Sequence, residues 1–356
     1  MKILAIETSC DETGIALVDG TKTEHGFSFS VIKNALLSQA QQHAEYGGVY
    51  PNLAKREHEK NLPVLFEQFK DEEYEAIAVT QGPGLEPALW TGVEFAKKLA
   101  NEKNLPLIPA NHMEGHLISS LVQGGELKDV QLPVLALLIS GGHTEFVLMS
   151  EWFRYEIIGQ TLDDAVGEAF DKVARMLGLP YPGGPQISKL ASEHRKEIPS
   201  DKWSEKNPFK LPRPMINADT CDVSFSGLKT AALYALRDRG GIQKLSPDQI
   251  AEFAREFEDA VGDVLTAKTL RALDATSAKT FVIGGGVAAN AYLREKLKAV
   301  VAKEFPDVEF RLPEHAITGD NAIMIAEAAL TRRLGGLEDA TKEDFRAVGN
   351  LSIKTK

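Results

Sequence analysis

The order of apolar and small polar segments repeats in the two halves of this chain, which limits the folds it can adopt. In the first half, apolar strands at residues 3–6 and 15–18 flank a polar turn, and a strand at 76–80, a glycine-rich loop and a helix at about 85–100 follow. In the second half, the two strands that flank a polar turn lie at 134–139 and 146–149. The later strand lies at 280–283, and after a glycine-rich loop the helix lies at about 290–303. Such a repeat predicts an internal duplication, and strands that lead through short glycine loops into helices predict parallel sheets covered by helices.

The length predicts two domains around a cleft, since 356 residues make about two domains at roughly 150 residues each. We place the first domain at 1–130, completed by a C-terminal helix at 321–346, and the second at 131–320. Ligands of parallel sheets bind at the carboxyl ends of the strands, where this chain has its glycine-rich turns. Residues 180–222 are rich in proline, which argues against regular helices or strands there and predicts a long functional loop.

The amino-acid composition excludes several classes of protein function. The chain has 40 Lys and Arg against 51 Asp and Glu, so it is not expected to capture nucleic acid unaided. A hydrophobic content of 43% excludes a wholly disordered protein. Cys10 and Cys221 make no disulfide framework, and no apolar run approaches the roughly 20 residues that span a bilayer. We therefore expect a cytoplasmic protein without a signal peptide or a membrane contact.

Two histidines, His112 and His116, are spaced as metal ligands on a helix. Residues four apart differ by about 40° around the helix axis, so both imidazoles share one face. Glu114 lies about 200° from His112 and points away, which excludes the metalloprotease arrangement HExxH. Asp320, before an apolar run at 322–330, is a candidate third ligand. The alternatives are two histidines on a polar helix face and a helix N-cap role for Asp320.

Glycine-rich turns are candidates for a nucleotide site. The turn at 140–144 lets backbone N–H groups approach an anion, and the similar turn at 8–13 makes a second half of a phosphate clamp. The turn at 284–290 has neither GxGxxG spacing nor a P-loop, and predicts a bare backbone surface for a purine. Asp171, on a helix predicted at 162–177, is a candidate acceptor for ribose hydroxyls. The alternatives are an ordinary hairpin turn, tight helix–strand packing and a solvated acidic helix face.

Taken together, these motifs resemble those of the bacterial tRNA N6-adenosine threonylcarbamoyltransferases, the TsaD family. The resemblance runs in order along almost the whole chain. It rests on ETSCDET at 7–13, HMEGH at 112–116, SGGHT at 140–144, AFDK at 169–172, YPGGP at 181–185, FSGLKT at 225–230, GGVAAN at 285–290 and Asp-Asn-Ala at 320–322. Two positions depart from the family pattern: Gly319 stands where Thr is usual, and Ser188 stands where many relatives have an Asp at the ribose.

The resemblance implies a duplicated actin-like, sugar-kinase-like α/β fold with two domains around a central cleft. It implies one divalent metal ion, iron or zinc, held by His112, His116 and Asp320. It also implies the substrate L-threonylcarbamoyl-AMP. The residues implied to contact this adenylate are Leu138, Ile139, Ser140, Gly141, Gly142, Asp171, Gly184 and Asn290.

The implied reaction passes the threonylcarbamoyl group to the exocyclic amine of the adenosine just 3′ of the anticodon, in tRNAs that read codons beginning with A. The implied protein partners are a degenerate paralogue (TsaB-like) and a small ATPase (TsaE-like). The sequence has no evident Ser-His-Asp or Cys-His nucleophile, so direct transfer is expected, with Asp11 or Glu12 as candidate general base. Two other classes stay open: a small-molecule kinase or ATPase of the same fold, and a non-catalytic scaffold, which would be expected to lose the metal residues.

Overall fold

The computed structural model describes residues 1–314, 317–337 and 345–355. Within these residues the chain is an α/β protein with two sheets. In the same residues, no helix combines the length and the apolar character needed to cross a membrane.

The first sheet has six strands. They are β1 (Lys2–Glu7), β2 (Glu12–Thr23), β3 (Gly26–Ser38), β4 (Ala76–Gly82), β5 (Leu107–Asn111) and β6 (Glu126–Lys128). Their order is β5-β4-β1-β2-β3-β6, with β1 antiparallel to β2 and parallel to β4.

The second sheet has five strands. They are β7 (Val134–Ile139), β8 (Thr144–Glu151), β9 (Arg154–Gln160), β10 (Thr280–Gly284) and β11 (Glu309–Arg311). Their order, β11-β10-β7-β8-β9, repeats the order β5-β4-β1-β2-β3 of the first sheet. The pairing repeats as well, since β7 is antiparallel to β8 and parallel to β10. Both predicted hairpins and both predicted parallel strands are therefore confirmed.

Eleven α-helices of the described chain cover the sheets. They are α1 (Ala40–Ala44), α2 (Pro51–Phe66), α3 (Glu86–Lys103), α4 (His112–Leu121), α5 (Val166–Met176), α6 (Gly183–Glu197), α7 (Ser200–Lys206), α8 (Ser226–Arg237), α9 (Pro247–Thr276), α10 (Ala291–Glu304) and α11 (Ala322–Leu334). In β1, Ile3 and Ala5 pack beneath α4 and α11, whereas Leu4 and Ile6 pack beneath α2 and α3. Helices thus cover both faces of β1, which explains its unbroken apolar run.

The last helix, α11, returns to the first half of the molecule and packs against β1, β2 and α4. It is shorter than the predicted helix at 321–346, because Gly335 and Gly336 follow its end and Gly336 has φ +91°, a conformation that favours glycine. Residues 338–344 of that prediction lie outside the described residues. The domain limits 1–130 and 131–320 stay a prediction.

The expectation of an irregular loop at 180–222 is wrong in part, because α6 and α7 lie within it. Pro182 directly precedes α6, Pro185 lies in its first turn, and Pro199 directly precedes α7. The first turn of a helix has no intrahelical acceptors for its N–H groups, so proline is tolerated there. The longest part of this segment without a helix or strand runs from 207 to 222.

Candidate functional site

The two histidines of α4 form the centre of the site. Strand β5 ends at Asn111, whose side chain caps α4 by accepting hydrogen bonds from the N–H groups of Met113 and Glu114. His112 and His116 are both buried, and their ring centroids lie 4.7 Å apart. The two imidazoles therefore share one face of the helix, as their spacing predicts.

Glu114 lies on the other side of α4 and is fully engaged there. Its carboxylate accepts a hydrogen bond from the Tyr155 hydroxyl at 2.6 Å and pairs with Arg332 Nε at 2.8 Å. This pairing keeps the Glu114 carboxylate away from the histidine face. The metalloprotease arrangement is therefore absent, as the helical angle predicts.

Asp320 brings a carboxylate to both imidazoles. Its Oδ1 lies 3.0 Å from His116 Nε2 and 3.4 Å from His112 Nε2, and one ligand atom from each of the three residues lies within 4.8 Å of the others. The N-cap of α11 is Asn321, whose side chain accepts from the N–H of Met324 at 3.0 Å. The alternative of an N-cap role for Asp320 is therefore wrong.

Charges inside this cluster shift the pKa of each member. Burial raises the pKa of Asp320, but the two histidines lower it well below its ordinary value. Burial lowers the pKa of His112, but Asp320 and Glu7 raise it to about 10. Burial lowers the pKa of His116, which stays below its ordinary value. The carboxylates of Asp320 and Glu7 thus favour positive charge at this cluster.

Sequence analysis missed Glu7, a fully buried carboxylate at the end of β1. Its Oε2 lies 3.2 Å from His112 Nδ1 and accepts from Thr80 Oγ1 at 2.6 Å, and its Oε1 accepts from the N–H of Ser9 at 2.5 Å. Burial raises the pKa of Glu7, but His112 lowers it below its ordinary value. Glu7 thereby holds the ring so that Nε2 faces Asp320. The available signal was an acidic residue that directly follows a buried apolar run.

The turn between β7 and β8 presents open backbone. Ser140 Oγ accepts hydrogen bonds from the N–H groups of Gly142 and His143 at 3.3 and 3.1 Å, which fixes the turn. A Cβ at Gly141 or Gly142 would meet nothing within 4 Å. Burial, followed by the charge of nearby His112, lowers the pKa of His143 to about 4. The turn therefore lies beside the histidine cluster and is open to a ligand.

The carboxyl ends of β7 and β10 meet beside α4. Ser120 Oγ donates to the carbonyl oxygens of His116 and Ile283 at 2.7 and 3.1 Å, which joins α4 to β10. A Cβ at Gly285 would lie 2.4 Å from the carbonyl oxygen of Ile139, so only glycine permits this close approach. The histidine cluster and two glycine-rich turns thus belong to one site.

The predicted adenylate contacts lie in β7, in the turn after it, and on or next to α5, α6 and α10. They are Leu138, Ile139, Ser140, Gly141, Gly142, Asp171, Gly184 and Asn290. Leu138 and Ile139 are fully buried, so their side chains lie in the core. Their roles toward a substrate stay predictions.

Asp171 lies on α5, where its Oδ1 accepts from the N–H of Gly183 at 2.7 Å at the start of α6. Gly184 follows in the first turn of that helix. Burial raises the pKa of Asp171, so the carboxyl does not belong to a freely solvated acidic face. The helix itself begins at Val166 and not at 162, and Leu162 is 60% exposed and lies outside its buried stripe.

Asn290 is held by a partly buried polar network. Its Oδ1 caps α10 by accepting from the N–H of Leu293 at 3.0 Å. Its Nδ2 donates to Ser188 Oγ at 2.8 Å and to Glu258 Oε1 at 2.7 Å. Sequence analysis missed Glu258, a fully buried acid on α9, because its partners come from distant segments.

The turn at 8–13 carries the two candidate bases. Asp11 is buried, and burial raises its pKa. Burial and the Asp11 charge together raise the pKa of Glu12 well above its ordinary value. Asp11 also contributes, after burial, to the raised pKa of Tyr181, which directly precedes Pro182 and α6. The turn from the first half thus approaches the second half at this side of the site.

Comparison with known proteins gives one family and a shared fold. A family model described as TsaD, tRNA N6-adenosine threonylcarbamoyltransferase, matches residues 30–327. The solved structure of HypF from T. kodakarensis is similar at 14% identity and a TM-score of 0.56, over 95% of this chain and 48% of that chain. This chain therefore spans about half the length of that HypF.

A ROK family protein from Streptococcus pneumoniae in complex with sucrose is similar at 14% identity and a TM-score of 0.46, over 94% of this chain and 98% of that chain. At such identities a structural likeness concerns the fold alone. The repeated sheet order and the likeness to HypF agree with the predicted actin-like, sugar-kinase-like α/β fold, which is confirmed.

Proposed function

The chain belongs to the TsaD family of tRNA N6-adenosine threonylcarbamoyltransferases, a class of transferases that act on tRNA, and from this membership we propose its substrates. The donor is L-threonylcarbamoyl-AMP. The acceptor is the N6 amine of the adenosine just 3′ of the anticodon, in tRNAs that read codons beginning with A. A small-molecule kinase is not favoured, because the matching family model is that of a tRNA-modifying transferase. A non-catalytic scaffold is not favoured, because the chain retains a cluster of residues that could hold a metal ion.

The observation that carries this proposal is the cluster of His112, His116 and Asp320 beside an open glycine turn. Two imidazole nitrogens and one carboxylate oxygen suit divalent iron or zinc, and donors within 4.8 Å of one another can reach a single ion. The residues therefore fit one divalent metal ion, which these three side chains would hold. When bound, such an ion supplies Lewis-acid polarisation of phosphate or carbamoyl oxygens.

The other residues bind and orient the adenylate. The backbone at Gly141 and Gly142 is open, so its N–H groups can lie against phosphate or against the charge that develops during acyl transfer. We assign Asp171 to the ribose and Asn290 to the base, and both side chains are already oriented by hydrogen bonds to the chain. Fixed donors and acceptors lower the cost of organising the reacting groups.

The transfer releases one proton, which we assign to the Asp11–Glu12 pair. The amine attacks the carbamoyl carbon, the bond from that carbon to the phosphate oxygen breaks, AMP leaves and the amine loses a proton. Burial raises the pKa of both carboxyls, so the ionised form of either is a stronger base than an ordinary carboxylate.

Capture of tRNA needs partners in this proposal. The chain carries a net charge of −11, and tRNA binding depends on Lys and Arg that release counterions from phosphates. We assign the missing positive surface to a TsaB-like paralogue and a TsaE-like ATPase. Because the acceptor is tRNA, we place the reaction in the cytoplasm.

The test is mass spectrometry of tRNA nucleosides after incubation with the chain, threonylcarbamoyl-AMP and both partner proteins. N6-threonylcarbamoyladenosine should form with the wild-type chain and not with His116→Ala, whose metal content should fall while its circular dichroism is retained. His194→Ala removes another buried imidazole, outside the cluster, and should keep both metal and activity. Absence of the modified nucleoside with the wild-type complex would refute the function, and unchanged metal content in His116→Ala would refute the metal site.

A further inference from the structure

Two stacked tyrosines stand exposed on the loop between α1 and α2. The ring centroids of Tyr46 and Tyr50 lie 5.7 Å apart with an interplanar angle of 18°. The residues are 58% and 50% exposed. Tyr234 is similarly exposed, but the guanidinium of Arg237 covers its ring at 4.6 Å. Ordered aromatic surface left open to water is typical of a binding site.

Hydrogen bonds through buried side chains connect this loop to the turn at 8–13. The backbone N–H of Tyr50 donates to Nδ1 of the fully buried His43 at 3.2 Å. The other ring nitrogen of His43 lies 3.1 Å from Gln39 Oε1, and the backbone N–H of Gln39 donates to the Asp11 carbonyl at 2.9 Å. The aromatic pair is therefore held at a set position relative to the candidate base.

A cation from the second half lies against the same loop. A Cβ at Gly47 would lie 2.7 Å from Arg175 Nη2, and Gly47 has φ +67°, so the guanidinium packs directly on this glycine. Arg175 lies on α5, one turn after Asp171, and is exposed. Among the described residues its guanidinium forms no ion pair and no hydrogen bond. Burial raises the pKa of Asp171, and the charge of Arg175 acts on that carboxyl to lower it. The loop and Arg175 thus combine two aromatic rings with one exposed cation beside Asp171.

We propose that Tyr46 and Tyr50 form a stacking platform for an unpaired base of the tRNA anticodon loop, with Arg175 on the adjoining phosphate. This inference rests on the proposed function, because the acceptor adenosine lies in that loop. Single-stranded RNA loops are recognised by splayed bases that stack on aromatic rings and on Arg, whereas a duplex offers no open base faces. Acidic residues outnumber the 40 Lys and Arg and give a net charge of −11, which weakens the attraction of the chain for phosphates, so base stacking carries a large share of the contact.

The test uses an anticodon stem-loop RNA that carries 2-aminopurine next to the acceptor adenosine, with the chain assembled with both partner proteins. Stacking on tyrosine should quench the 2-aminopurine fluorescence. Replacing Tyr46 and Tyr50 together by Ala should weaken RNA affinity roughly 5- to 150-fold and abolish the quenching. Replacing both by Phe keeps the rings and should restore both readouts. Arg175→Gln should reduce the salt slope of binding by about one, and Tyr234→Ala, on α8, should change nothing.

Each other outcome has a defined meaning. If the wild-type complex modifies tRNA but the double Ala variant keeps its RNA affinity and quenching, the platform is refuted and the proposed function stands. If the double Ala variant loses the paralogue in sedimentation yet binds the stem-loop normally, the pair is a protein contact and the RNA proposal is wrong. If the Phe variant folds and fails like the Ala variant, stacking is refuted. If the wild-type complex forms no modified nucleoside, the proposed function and this inference fall together.

Discussion

The carboxylate of Glu7 should set how tightly the histidine cluster binds a divalent ion. Glu7→Gln keeps the side-chain shape but replaces one acceptor oxygen by an amide that only donates. The native oxygens face His112 Nδ1 at 3.2 Å, Thr80 Oγ1 at 2.6 Å and the N–H of Ser9 at 2.5 Å, so at least one of these groups loses its acceptor. Loss of the outer partner of a ligating histidine costs about 10- to 100-fold in metal affinity, or about 1.4–2.8 kcal/mol.

Calorimetric titration of the metal-free chain with Zn²⁺, and the absorption spectrum of the Co²⁺ form, measure this affinity without any turnover. Glu327→Gln is the matched control, since Glu327 is a buried acid on α11 whose pKa is raised by burial to about 8. That carboxyl is mostly protonated at neutral pH, so its amide replaces a neutral group and metal affinity should not change. If folded Glu7→Gln binds Zn²⁺ as tightly as the wild type, the argument that Glu7 orients His112 is wrong.

Three further outcomes are expected. An adenylate at a hundredfold excess over its dissociation constant should stabilise the wild type by about 2.7 kcal/mol and Gly142→Val much less, because a branched side chain fills the open backbone surface; a full thermal shift in the variant contradicts this placement. The pKa of Glu327 is raised from 4.5 to about 8 on folding, so its contribution to stability is present at acid pH and lost as pH rises through about 8. Glu327→Gln should therefore melt like the wild type near pH 4 and at a higher temperature above pH 8, and equal melting temperatures across this range would contradict the assignment. In salt titrations, the chain alone should bind tRNA weakly and the complex more tightly with a steeper salt dependence; tight, steep binding by the chain alone would show that partners are not needed for capture.

Much of the fold could be predicted from local patterns in the sequence. Both hairpins and the later parallel strand of each half were predicted from apolar runs bounded by small polar turns, and the same succession of parts in both halves indicated the duplication. The shared face of His112 and His116 follows from helical geometry alone, as does the opposite direction of Glu114. These inferences needed no knowledge of distant contacts.

Contacts between distant segments were harder to predict from the sequence. Glu7 and Glu258 are acids whose partners lie on other elements, so nothing near them in sequence distinguishes them from solvated side chains. Pro182, Pro185 and Pro199 lie at the starts of α6 and α7, which a count of prolines cannot distinguish from a loop. The hydrogen bond between His116 on α4 and Asp320 joins residues 204 positions apart. The roles of these residues in metal and substrate binding stay predictions.

The return of α11 to the first sheet has a consequence for synthesis on the ribosome. About 200 residues separate the end of α4 from the start of α11, so at 5–20 residues per second the first half waits roughly 10–40 s for its last helix. During that interval the apolar face of β1 and β2 that α11 covers is open to solvent, which is the kind of surface that chaperones bind. Asp320 emerges just before that helix, so a truncated translation product contains both histidines but cannot complete the cluster.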